Sequence, residues 1–359
     1  MSDRSYWLGF HLVPGIGATR LAGLIEHFGG IAEAWGASPG ALRASGLGSR
    51  AIDSLVATRS RLSLDAEMER VERAGVQILT LADDDYPRLL REIPSPPLVL
   101  YVRGSLLPAD EAAVAIVGTR RVTSYGREMS RRLATELGSA GVTIVSGLAR
   151  GVDGVAHTAT LDAGGRTIAV LGCGLDTIYP PEHRGLAERI VDNGALVSEF
   201  SLGTGPDAAN FPVRNRIISG LSLGIVVIEA PMKSGALITA NFAADHGRTV
   251  LAVPGSALSS ASAGTIQLLR DGATIATNGG DVLAALDLGT RQIEMDVRQV
   301  LPTNDTERSV LLFLGSEPKH IDEIAIESGF QIGTLSAQLL QMQLKGLVRN
   351  VGTQHYVRG

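Results

Sequence analysis

Six segments of the chain place glycines, hydroxyls, amides and arginines directly after short apolar runs. Gly118-Thr119-Arg120-Arg121 follows AAVAIV, and Ser146-Gly147-Leu148-Ala149-Arg150-Gly151-Val152-Asp153 follows VTIV. Gly172-Cys173-Gly174 follows TIAVL, and ALVSEF leads through a Gly/Pro-containing loop to Asn210-Phe211-Pro212-Val213-Arg214-Asn215-Arg216. GIVVI is followed by Glu229-Ala230 and then Lys233-Ser234-Gly235; TVLAV is followed by Pro254-Gly255-Ser256. These residue types share one chemistry, the holding of an anion by free backbone N–H groups, hydroxyls and cations at helix N-termini. Turn-making alone explains one such loop. It does not explain all of them, and phosphate is the anion they suit.

The apolar runs say how these loops are brought together. They are rich in β-branched residues, read as buried on both faces, and alternate with helical patterns, which predicts a mostly parallel sheet. The fold class is therefore doubly wound α/β with right-handed crossovers, an extended Rossmann-like domain. In such a sheet ligands bind beyond the carboxyl ends of the strands, where all six segments fall. The first turn reads Gly118 to Gly126 without GxGxxG, and GxxxxGK[ST] is absent, so neither a dinucleotide nor ATP hydrolysis is expected. Arg120 would crowd a pyrophosphate on a glycine turn but suits a backbone phosphate lying across the opening. Phe211 is either a ring that stacks on a base at the mouth of the site or a core plug beneath the loop. Asp153 and His157, at i and i+4, read as a hydrogen-bonded pair that fixes a loop rather than as metal ligands. Cys173 reads as a small buried residue under the site rather than a nucleophile.

The chain has 359 residues, 45% hydrophobic and 19% charged, with a formal net charge of -5, so it can fill two or three cores. No apolar run reaches the ~18–20 residues of a membrane helix. The N-terminus has no secretory pattern, and a cytoplasmic location is expected. One cysteine rules out an intrachain disulfide and a multi-cysteine metal site. Residues 1–62 read as short helices with a repeated Gly-apolar-Gly turn, at Gly15-Ile16-Gly17 and Gly46-Leu47-Gly48. That pattern resembles tandem helix-hairpin-helix (SAM-like) units, whose turns either grip phosphate or merely join packed helices. The α/β domain takes 63–288, a linker 289–304, and the tail 305–359 reads as three helices and a hairpin, resembling a winged helix. The tail carries Arg308, Lys319, Lys345, Arg349 and Arg358 against Asp305, Glu307, Glu317, Asp322, Glu323 and Glu327. That balance favours a protein contact or a weak association with DNA over a DNA-reading role.

VGTRR, SGLARGVDGVAH, GCGLDTIYP, FPVRNRIISGLS, EAPMKSGALITANFA and AVPGS occur in this order, and together they resemble the DprA/Smf family over nearly the whole chain. The combination of FPxRNRIISGLS with SGALITA is very specific. The resemblance implies a mediator without catalytic residues, metal or cofactor. Such a mediator binds single-stranded DNA in a basic pocket of the Rossmann-like core and loads the RecA recombinase past single-strand-binding protein. Carried over, Arg120 would clamp a DNA phosphate and Phe211 would contact a base. Gly118, Thr119, Ser146, Gly147, Gly172, Gly174, Arg214, Asn215, Ser234 and Gly235 would form or support the pocket floor. Arg216 and Glu229 either belong to that site or pair inside the core. Relatives often carry lysine three residues before the phenylalanine, where this chain has Ala208; either one phosphate contact is missing or Lys233 or Arg150 replaces it. The resemblance also implies a homodimer through GTIQLLRDGATIAT, in which Ile266, Leu269 and Ile275 are either interface contacts or ordinary core.

Two other function classes fit parts of the pattern. A Rossmann-type nucleotide phosphoribohydrolase would also carry glycine loops and arginines at the sheet edge, but its PGGxGTxxE signature is absent. A nucleotide-sensing promoter binder would need a more basic tail. Turnover of nucleoside monophosphates, or sequence-specific duplex binding, would mark these alternatives.

Overall fold

The computed structural model describes residues 3–288, 305–314, 319–344, 348–352 and 354–358. The expected linker 289–304 lies outside the described residues. Two compact units divide the chain, 1–286 and 287–359.

The first unit is built on nine strands: β1 (Gln77–Thr80), β2 (Val99–Gly104), β3 (Ala113–Val117), β4 (Thr143–Ser146), β5 (Thr167–Val170), β6 (Gly194–Ser198), β7 (Gly224–Val227), β8 (Thr249–Ala252) and β9 (Thr274–Ile275). Their order is β1-β2-β6-β5-β4-β3-β7-β8-β9. From β6 to β9 every pairing is parallel, with Val114 opposite Ile144 on one side of β3 and Ala115 opposite Ile225 on the other. β2 pairs antiparallel with both β1 and β6, extending the parallel sheet by a hairpin. The central strands β3 to β7 are buried throughout, which is why they read as unbroken apolar runs rather than alternating ones.

Helices close both faces. Ala113, Ala115 and Val117 point to one face, where they pack with Ile217 and Ile218 of helix Asn210–Gly220 and Ala236 and Ala240 of helix Gly235–Asp245. Helices Ser124–Ser139 and Val152–Asp162 serve the crossovers that run the other way along the sheet, and right-handedness puts them on the opposite face.

The N-terminal helices do not form a core of their own. Leu8, Phe10, Leu21, Leu42 and Leu55 share one cluster with Val99, Tyr101, Leu171 and Leu196 of the sheet region. Phe10 meets Trp35 edge-to-face, ring centroids 5.1 Å apart. No helix of the described residues is long and apolar enough to cross a membrane.

In the second unit, helices Asp305–Leu312, Ile321–Ser328 and Ile332–Leu344 pack over a small antiparallel sheet. His355–Arg358 is its central strand, between Lys319–His320 and Val348–Gly352. Ile324, Leu335, Leu339, Met342 and Tyr356 meet in its core. This is a winged-helix arrangement. The strand at Lys319–His320 is additional to the expected hairpin; at two residues it is too short to leave a periodic signal.

Candidate nucleic-acid interface

β3 connects toward β4 and β7 toward β8, in opposite directions from adjacent positions in the sheet. Their carboxyl ends therefore border a crevice, the topological switch point of the fold. A cavity of about 670 Å³ opens there. Gly118, Thr119, Arg120, Phe211, Arg214, Asn215, Lys233, Ser234 and Gly235 all line it.

Local hydrogen bonds fix each wall. The Thr119 N–H donates to the Glu229 carbonyl at 2.8 Å, and the Thr119 carbonyl accepts from the Val152 N–H at 3.2 Å, tying three strand ends together. Ser234 caps helix Gly235–Asp245, its Oγ accepting from the Ala236 N–H at 3.3 Å. Asn215 Nδ2 donates to the Gly235 carbonyl at 3.3 Å, joining the two helix starts that face the crevice. Arg216 and Glu229 do not pair with each other. Arg216 is bound to Glu199, while the Glu229 carboxylate accepts from the Thr123 N–H at 3.0 Å and the Thr123 hydroxyl at 2.5 Å. Both are absorbed in scaffolding.

Phe211 has two cations against its ring. The Arg120 guanidinium carbon is 5.1 Å from its ring centroid and that of Arg214 is 5.9 Å, both within cation–π range. Tyr179 supports the ring from the side, centroids 5.8 Å apart. The two cations differ in kind. Arg120 is exposed and makes no ion pair among the described residues. Arg214 is buried, donates through Nη1 to the Val170 carbonyl at 2.8 Å, and leaves Nε buried without a partner. Burial lowers its pKa to about 10, opposed by the nearby Asp153 carboxylate, so it remains a cation at neutral pH. Burial conversely raises the Asp153 pKa, opposed first by Arg214.

Asp153 also shapes the backbone. Its Oδ2 accepts from the N–H groups of Gly147 (3.2 Å) and Ala149 (3.3 Å), which bracket Leu148. Leu148 has φ 56°, a left-handed conformation that costs a branched side chain energy and is held only where its surroundings insist. His183 Nδ1 bonds the Leu148 carbonyl at 2.9 Å, so that nitrogen carries the proton. The expected Asp153–His157 pair is thus replaced by separate roles: His157 Nδ1 bonds Thr167 Oγ1 at 2.7 Å, and burial lowers its pKa to about 3.

The remaining floor residues sit below the crevice. Ser146 is buried and donates to the Ile116 carbonyl at 2.6 Å. Gly147 and Gly172 make room: a Cβ on Gly147 would stand 1.8 Å from Arg214 Nη1, and one on Gly172 would stand 2.9 Å from the Phe211 ring. Gly174 faces away, toward Ser201 and Leu202. Gly147→Ala is expected to displace the Arg214 guanidinium and to lower folding stability by about 1–3 kcal/mol, as overpacking does; urea denaturation against the wild type checks it.

Cys173 is buried, bonds the Thr177 carbonyl at 3.2 Å and is pushed by burial to about 11, an inert thiol. Pro254, Gly255 and Ser256 border a separate cavity with Thr123 and Tyr125. Lys233 lines the same pocket as Ala208, whereas Arg150 pairs with Glu182 outside it. Ile275 is 55% exposed on edge strand β9, and Ile266 and Leu269 are half-buried. Sequence reasoning did not single out Tyr179 as part of the pocket; its signal was an aromatic in the segment that follows Gly172. Among the described residues, no cluster of three or more His, Cys, Asp or Glu could hold a metal ion.

Comparison with known proteins gives this geometry a family. The family model for DNA recombination-mediator protein A matches residues 77–287, and that for the DprA winged helix domain matches 297–352. Protein Smf of Synechocystis is 38% identical over 99% of both chains. DNA processing protein DprA of Bacillus subtilis is 41% identical over 59% of this chain and 72% of its own. The crystal structure of DNA processing protein A from Streptococcus pneumoniae superposes with a TM-score of 0.68 at 34% identity, covering 79% of this chain and 98% of that one. A solved structure of DNA processing protein A from Helicobacter pylori, reported for its single-stranded DNA binding mode, gives 0.53 at 33% identity over 58% of this chain and 95% of that one. Two family models in succession and a relative matched from end to end show that the chain belongs to the DNA recombination-mediator protein A (DprA/Smf) family.

Proposed function

We propose that the switch-point crevice binds single-stranded DNA, and that the chain acts as a non-enzymatic mediator that passes the strand to RecA in the presence of single-strand-binding protein, in natural transformation or another recombination route. One observation carries this reading: an exposed arginine, without an ion pair among the described residues, and a second, buried arginine both lie within cation–π range of one aromatic ring. A phosphate finds the cations and a base finds the ring, the two elements of sequence-tolerant single-strand binding. The DNA-binding body would be 63–288, flanked by the helical 1–62 and, beyond linker 289–304, by the winged helix 305–359. Ile266, Leu269 and Ile275 would serve a homodimer; the exposure of Ile275 on an edge strand supports that role.

The winged helix is better suited to a protein partner than to DNA. Its helix Ile332–Leu344 exposes Ile332, Leu340, Gln341 and Gln343 and has no charged residue.

Fluorescence anisotropy with labelled oligothymidylate in a salt series tests the reading. Arg120, Arg121 and Lys233 are exposed at the crevice. If all of them meet phosphates, log K should fall with log salt at a slope of about −2, at roughly 0.7 per contact. Absence of binding at low salt would overturn the proposal. Turnover of a nucleoside monophosphate would replace it with the hydrolase reading.

A further inference from the structure

Beside the crevice, on the helical side of the 149–151 turn, a second groove of about 630 Å³ lies between helices Ser124–Ser139 and Val152–Asp162. Gly151 joins the two. It stands in the groove lining, and a Cβ there would fall 2.3 Å from the Thr119 carbonyl oxygen and 2.7 Å from that of Arg120, on the crevice rim. With φ 79° at this position, glycine lets the 119–120 turn of the crevice rim pack directly on the groove lining, so the two surfaces adjoin across one backbone contact.

The groove has the chemistry of a nucleotide path. Gly154, Val155 and Ala159 make a floor of small residues. Arg127 and Arg131 stand on one helix one turn apart and supply charge. Every carboxylate of the groove is already engaged: Glu128 with Arg131, and Asp162 with Arg189 at 2.7 Å. Arg127 is exposed and has no ion pair or hydrogen-bond partner through its side chain among the described residues, so its charge is uncompensated. It stands one turn into the helix that begins just after Arg120 and Arg121.

Resting on the single-stranded DNA reading above, we propose that the bound strand leaves the crevice over the Gly151 turn and enters this groove, where Arg127 takes a backbone phosphate of a flanking nucleotide. The groove adds length and salt dependence rather than base selectivity, because it offers phosphate contacts and no aromatic ring comparable to Phe211 apart from the His183 imidazole.

The test uses the full chain and oligothymidylates of about 5 and about 20 nucleotides, the first filling the crevice alone and the second long enough to reach the groove. Arg127→Ala should make the salt slope for the long strand shallower by about 0.7 while leaving the affinity for the short strand unchanged. Arg127→Lys should restore the slope, since a phosphate contact needs charge more than guanidinium geometry. An unchanged long-strand slope in Arg127→Ala, with Arg120→Ala still weakening both strands, would remove the extension and leave the crevice as the site. Equal weakening of short and long strands would place Arg127 inside the crevice and also overturn the extension. Failure of the wild type to bind either strand would overturn the DNA reading, and the extension with it.

Discussion

Arg214→Met should lower folding stability by about 3 kcal/mol, although it replaces one long side chain by another. The loss comes from what is left behind. Asp153 is buried with Arg214 as its nearest compensating cation, and the Val170 carbonyl loses a charged donor. The deficit should depend on pH with a definite sign. Burial already raises the folded-state pKa of Asp153 above its unfolded value, and removing Arg214 raises it further. The folded variant then holds a proton that the unfolded chain releases. Its stability is fully present below the unfolded carboxyl pKa, about 3.9, and is lost as pH rises through the elevated folded value. Urea midpoints at pH 5 and pH 8 read this directly: the variant should lie closer to wild type at pH 5. Asp153→Asn in the same background should recover part of the loss, because the amide oxygen can still accept from Gly147 and Ala149 while carrying no charge. A deficit independent of pH, and strictly additive with Asp153→Asn, would show that Arg214 is held by packing alone.

Much of this site was legible in the residues, because the sheet that assembles it is. Strands buried on both faces leave apolar runs, and the turns that follow them must lie along one edge whatever the strand order. Gly118, Thr119 and Arg120 could therefore be placed together with Lys233, Ser234 and Gly235 before any contact was known. Partner choice was not legible. Glu229 was the one acidic partner the sequence suggested for Arg216, and Glu199, just after β6, receives it instead. Periodicity fixes which face a residue occupies but not which element covers that face. For the same reason the reading of residues 1–62 as short helices did not show that the sheet itself would complete the core of Leu8, Phe10 and Leu21. Gly174 illustrates the complementary limit. Gly172 of the same strand-end loop lies against Phe211, yet Gly174's own approach to Ser201 and Leu202 makes it part of the loop's packing.

Phe211 and Arg120 should prove to be one device rather than two contacts. Phe211→Ala removes the stacking surface and should weaken oligothymidylate binding by about 1–3 kcal/mol, roughly 5- to 150-fold, with little change in salt slope because no phosphate contact is lost. Arg120→Ala should weaken binding and also make the slope shallower by about 0.7. The guanidinium of Arg120 stands 5.1 Å from the ring centroid, so each side chain holds the other in place for the strand. The double variant should therefore lose less than the sum of the single losses, with a coupling of about 0.5–1 kcal/mol. Phe211→Tyr should keep most of the affinity, since the ring face is retained. Additive losses would mean that phosphate and base are read independently and that the stacked arrangement is incidental. A Phe211→Ala variant with wild-type affinity would assign the ring to the loop's own packing, against Gly172 and Tyr179, and would leave cations alone to hold the strand.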